Sequence, residues 1–185
     1  MDLVPTHHTN EIAQNVACCK KAPAQYWMHT NMLTVNGQKM SKSLGNSFLP
    51  QELFTGSHKL LEKGYAPMVV RFFMLQAHYR STLDFSNVAL QASEKGYQRL
   101  MNAIKLLPGL KTADASTVKV ANIKADVYEA MNDDFNTPVA IAALFEGVRV
   151  INSINDGSDT ITAEDKQALQ TLFNDIVFDV LGLKQ

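Results

Sequence analysis

The sequence predicts a mainly α-helical chain, with a helical bundle in its second half preceded by shorter helices and a small α/β portion. Three observations carry this. From Ser86 onward, apolar residues recur at helical spacing in four successive segments. Helix-starting residues stand ahead of most helical segments: Pro50, Pro67, Ser86, Thr137-Pro138 and Thr162. Strand signals gather only early, where the aromatic "YWMH" and the apolar "MLTV" run into Asn36-Gly37, a pair that favours a type I′ turn.

Taken in order, Thr9 to Lys21 reads as a helix with Ile12, Ala13, Val16 and Ala17 as its apolar stripe, ended by Pro23. Cys18 and Cys19 read as small, buried or half-buried apolar residues within it. Pro50 opens a short helix over Gln51 to Phe54, because a proline lacks only an N–H that the first turn does not use. Pro67 opens "MVVRFFMLQA", apolar on most sides and therefore buried, and "HYRSTLDF" follows as an extended connection. Ser86 caps a long helix to about Leu107, closed by Pro108-Gly109. "KTADASTVKV" has the composition of a linker. Three helices complete the bundle: about Asn122 to Asn132, Pro138 to Asn155, and Ala163 to Leu181. Thr137 reads as an N-cap, and Thr162 with Asp165 has capping-box spacing. Asp133, Asp134 and Asn136 read as the end of one helix and the cap of the next rather than as a metal cluster.

Composition narrows the function classes. The chain has 185 residues with formal net charge −1, so a general basic nucleic-acid surface is excluded and any RNA contact must be local. Two adjacent cysteines give no disulfide framework, which fits a reducing, cytoplasmic setting. No secretory leader or run of about 18 apolar residues is evident, so no membrane is expected.

The chemistry gathers in "GQKMSKSLGN". Two flexible ammonium groups on a short polar loop can reach several phosphate oxygens and stabilise charge that develops on a leaving group. The word Lys39-Met40-Ser41-Lys42-Ser43 is similar to the signature loop of class I aminoacyl-tRNA synthetases. "DLVPTHHTNEIAQ", "YWMHTNMLTVNGQKMSKSLGN", "VVRFFMLQAHYRSTLDFS" and "MNDDFNTPVA" resemble, in order, successive segments of cysteinyl-tRNA synthetase. The resemblance implies three regions: 1–35 as a C-terminal remnant of the catalytic domain, 36–90 as the signature loop and stem-contact region, and 91–185 as a helical domain of the DALR type.

It also implies roles. Lys42 would contact ATP, and Lys39, Met40, Ser41 and Ser43 would complete the ATP-binding loop. His7 and Glu11 match two of the family's four zinc ligands; their i, i+4 spacing puts both on one helical face, and imidazole and carboxylate both suit zinc. The family's zinc holds the thiolate of substrate cysteine, since soft sulfur prefers the metal. Arg71, His78 and Arg80 would lie near the tRNA stem, the alternative for Arg80 being an ion pair with Asp84. The implied partners are tRNA(Cys), cysteine and ATP. Neither the family's nucleotide-binding "HIGH"-type motif nor its upstream zinc cysteines occur here, so the chain is expected to be inactive alone, to hold little zinc and to carry a loosely tethered signature loop. Two alternatives are a portion of a related cysteine:amino-sugar ligase and a non-catalytic tRNA-binding module.

Overall fold

The computed structural model describes residues 3–184. A π-helical turn at Val4–His8 leads into α1 (Thr9–Cys19). An irregular stretch then reaches β1 (Leu33–Val35) and β2 (Gln38–Lys39). The short α2 (Pro50–Thr55) and α3 (Pro67–Leu75) precede β3 (Leu83–Phe85), and α4 (Asn87–Leu106), α5 (Val120–Asn132), α6 (Thr137–Asn155) and α7 (Ala163–Phe173) follow. A π-helical segment, Asn174–Val180, continues α7, so the regular helix is shorter than its apolar pattern suggests.

The sheet has the order β2-β1-β3. β1 and β2 form an antiparallel hairpin across Asn36 and Gly37, whose φ values of 50° and 75° are those of the expected turn. β3 pairs parallel to β1, with Thr34 opposite Asp84. "LDF" is thus a strand where the sequence suggested only a connection: one face of three residues is too short a period to read, and its partner lies far away in sequence. "YWMH" forms no strand. His29 instead stacks on His8 and Trp27 packs tilted against it, with ring centroids 5.0 Å and 5.4 Å from the His8 ring.

Two hydrophobic cores meet at α3. The smaller holds Val35, Leu53, Tyr65, Val69, Val70, Phe73, Phe85 and Leu90 beneath the sheet. The larger is the bundle of α4 to α7, built around Leu144, Val148, Ile151, Leu169 and Phe173. Phe72 belongs to the bundle core and its neighbour Phe73 to the sheet core, so one helix anchors both. α6 is long and apolar enough to cross a membrane by composition, and here eight of its residues are buried in the bundle.

The remaining sequence expectations are met or corrected by local chemistry. Ser86 Oγ accepts from Ala89 N at 3.3 Å, capping α4. Thr162 Oγ1 likewise accepts from Asp165 N at 3.2 Å, but the Asp165 carboxylate is taken by the Ser116 hydroxyl instead of closing a capping box. Thr137 is the first residue of α6 and Asn136 its cap position. The 111–120 segment is no free linker: Ala113 N donates to Ile161 O at 2.8 Å and Thr117 N to Thr160 O at 3.1 Å, docking it along the start of α7. The stripe of α1 buries nothing, and Cys18 and Cys19 are exposed, not packed. Within that stripe only Ile12 is half-buried.

Candidate nucleotide-binding loop

The signature residues leave the edge of the sheet. Lys39 ends β2 opposite Thr34. Met40 is half-buried and packs on the smaller core, fixing the start of the loop. The chain then reverses, Gly45 N donating to Lys42 O at 3.1 Å. Gly45 has φ +58, which an L side chain adopts only with strain.

Asn46 closes the loop. It is 7% exposed, and its Oδ1 accepts from Ser41 N at 2.8 Å while its Nδ2 donates to Lys39 O at 3.2 Å. Ser41 Oγ accepts from Leu44 N at 3.2 Å and shares a 3.2 Å hydrogen bond with Ser43 Oγ. The loop is therefore a cross-tied turn, in contrast to the loose tether expected from like charges on Lys39 and Lys42. An amide reaching backbone groups on both limbs outweighs a repulsion that solvent screens. Lys39 and Lys42 themselves point outward, exposed, and neither makes an ion pair among the described residues. The backbone is organised and the two cations are free to take an anion.

The platform under the loop is also tied. Asp84 on β3 accepts from Thr34 Oγ1 at 2.6 Å and from Gly37 N at 2.7 Å, which pins the hairpin turn to the strand behind it. Asp84 is consequently not the partner of Arg80.

That partner is Asp134, between α5 and α6. Arg80 Nη1 lies 2.6 Å from Asp134 Oδ2, Tyr79 Oη donates to Asp134 Oδ1 at 2.6 Å, and His78 Nε2 sits 3.1 Å from the Asp134 carbonyl oxygen. The hydrogen bond from Tyr79, then that from Arg80, holds the Asp134 carboxyl below its usual range, and the same contact raises the Tyr79 phenol. Asp134 and Phe135 both have positive φ, 55° and 54°, a strained pair that this clasp keeps in place. Arg71 donates from Nε to Leu181 O at 2.7 Å. Arg71, His78 and Arg80 thus each have a partner within the chain.

His7 is exposed at the end of the π-helical turn, and Glu11 is exposed one turn further on. Among the described residues no three metal-binding side chains gather into one group. His8, the neighbour of His7, belongs to the aromatic stack instead.

The sequence reading missed Asn46 and the whole Asp134 clasp. "LGN" carried the first signal, a glycine at a turn followed by an amide able to bridge two limbs. Nothing local carried the second, because Arg80 and Asp134 lie 54 positions apart.

Comparison with known proteins agrees with this organisation. The profile of the tRNA synthetases class I (C) catalytic domain matches residues 1–95, and that of the DALR domain matches residues 126–185. A cysteine–tRNA ligase of Bacteroides thetaiotaomicron is 56% identical over 189 residues, which cover 100% of this chain and 38% of the relative. One of Porphyromonas gingivalis is 53% identical, with the same coverage, and one of Cytophaga hutchinsonii is 48% identical over 99% of this chain and 39% of its own length. The chain spans well under half the length of these relatives. With half of its residues matched by the catalytic-domain profile, the chain belongs to the class I (C) family of tRNA synthetase catalytic domains.

Proposed function

We propose that this chain supplies the signature loop and helical domain of a cysteine–tRNA ligase. In the first step an oxygen of the cysteine carboxylate attacks the α-phosphorus of ATP. The bond from that phosphorus to the bridging oxygen breaks, giving cysteinyl adenylate and pyrophosphate. In the second, a terminal ribose hydroxyl of tRNA takes the cysteinyl group and AMP departs. The observation that carries this reading is the cross-tied turn that presents Lys39 and Lys42 unpaired.

Each part of the loop has a task in the first step. Lys42 stabilises charge growing on the departing pyrophosphate, and Lys39 holds its distal phosphate. Ser41 and Ser43 offer hydroxyl donors. Met40 and Asn46 keep the backbone in place so that little ordering cost falls on the reaction. The helical domain serves tRNA. In this reading Arg71 and Arg80 act by fixing the stem-contact segment against that domain, through Leu181 and Asp134, with His78 beside them. His7 and Glu11 would be two of the donors for a zinc ion that binds the substrate thiolate. The tRNA ligase is preferred to an amino-sugar ligase because relatives that cover the full chain carry the former name.

A chimera tests this. This chain replaces the matching segment of one of those relatives, and cysteine-dependent ATP–pyrophosphate exchange and tRNA charging are measured. Both should persist, and Lys42→Ala should lower exchange by roughly 10²-fold, the scale of one lost charge stabiliser. Exchange untouched by Lys42→Ala would remove the loop from the chemistry. Charging of glucosamine in place of tRNA would favour the other ligase.

A further inference from the structure

Beside the signature loop lies a second one, Gly56 to Gly64, which the reaction above does not use. Its neck is closed by backbone contact: a Cβ on Gly56 would sit 2.3 Å from Gly64 N, and one on Gly64 would sit 2.3 Å from Phe54 O. Tyr65 N donates to Leu53 O at 3.0 Å just below the neck. Within the loop nearly every residue is engaged. The His58 ring packs edge-on against Phe48 at 5.0 Å, and His58 Nδ1 accepts from Leu60 N at 3.2 Å. Leu60 and Leu61 pack on the smaller core. Asn87 accepts from Glu62 N at 3.0 Å and donates to Leu60 O at 2.8 Å, while Lys63 pairs with Glu94.

Lys59 is the exception. It is exposed and forms no ion pair among the described residues. Its Nζ lies 3.2 Å from where a Cβ of Gly45 would be, directly against the turn that Lys42 and Gly45 close. A rigid loop thus holds a third unpaired ammonium over the signature turn. Lys39, Lys42 and Lys59 are all exposed and have no ion-pair partner among the described residues, and unpaired cations beside one turn attract an anion.

We infer that Lys59 is a third phosphate-binding cation of this site, acting with Lys39 and Lys42 on the polyphosphate of the nucleotide. This rests on the proposed role of the signature loop. A Cβ at Gly45 would press on the Lys59 ammonium, although the positive φ there already disfavours any side chain.

The test uses this chain and inorganic tripolyphosphate, followed by calorimetry and by amide shifts of Ser41 to Asn46 at low and moderate salt. Lys59→Ala should weaken binding roughly tenfold, the scale of one charge-assisted contact. Lys59→Arg should retain most of the affinity, and Lys59→Glu should abolish binding. Lys111→Ala, an exposed control on the far segment, should leave it unchanged. If Lys42→Ala weakens binding and Lys59→Ala does not, the third-cation assignment is wrong while the loop reading stands. If neither matters, or Lys111→Ala weakens binding as much, both fall. Because Lys59 is exposed, loss of folding is not expected, and unchanged amide shifts of α6 in each variant verify it.

Discussion

Helices α1 and α6 look alike in sequence and differ completely in the fold. Each carries an apolar stripe at i, i+3, i+4 spacing. α6 buries eight residues, among them Leu144 and Ile151 at 0% exposure. α1 buries none, and Val16 is 44% exposed. The pattern in a sequence marks a face that can be buried; whether it is buried depends on what the rest of the chain places against it. The stripe of α6 organises the bundle, whereas that of α1 stays largely exposed, with Val16 and Ala17 open to solvent.

The sharpest way to break this contrast is a matched pair of truncations. Leu144→Ala should destabilise the chain by about 2–5 kcal/mol, the range for a leucine emptied from a tight core, measured by urea unfolding. Val16→Ala should cost under about 0.5 kcal/mol, as exposed positions do. Equal costs would mean that α1 is packed in solution.

A smaller effect is expected at the start of α7. Thr162→Ala removes the hydroxyl that accepts from Asp165 N and should cost about 1 kcal/mol. Valine there should cost as much, since neither residue can accept a hydrogen bond. A loss well beyond this would show that the docked 113–117 segment, held through Ser116 to the same corner, is released together with the cap.

The smallest expected effect is at the clasp, and it depends on pH. The Asp134 carboxyl is held below its ordinary value of 3.8 by Tyr79 and Arg80. Its contribution to stability is therefore present above that ordinary value and fades as pH falls through the lower folded one. The gap in thermal midpoint between the wild type and Asp134→Asn should be open at neutral pH and narrow below pH 3.8. Because the pair is solvent-exposed, added salt should narrow it as well. A gap independent of pH would show that the ionised carboxylate is not what the clasp contributes.

These contrasts also mark what could be read from the sequence. The bundle was legible because its helices are long, periodic and capped by Ser86 and Thr162, so local signals agree with the packing. The β1–β2 turn was legible because Asn-Gly tolerates positive φ. β3 was not, since three residues carry too little period and their partner strand is remote. Arg80 reads as a stem contact or, alternatively, as the partner of nearby Asp84; the carboxylate that reaches it comes instead from the α5–α6 connection. Lys39 and Lys42 stood out as a motif. Asn46 was hinted at only by the glycine before it, and Lys59 acquires meaning only because the fold brings it beside Gly45.

The parallel pairing of β1 with β3 has a consequence for the order in which the molecule assembles. Thr34 and Asp84 meet across 50 positions of chain, whereas α5 and α6 are joined by a short connection and can zip up locally. Closing the longer loop sacrifices chain entropy before the three-residue ladder returns any stabilisation, so the ladder is expected to form after the bundle. In pulsed hydrogen exchange during refolding, the amides of Leu83 and Asn36, which donate to Met32 O and Phe85 O, should become protected later than those of α6. Earlier protection of the ladder would reverse that order. With the ladder forming last, the lysine turn that rests on β2 at its edge is among the last surfaces to take shape, so anion-binding competence reports completed folding rather than mere collapse.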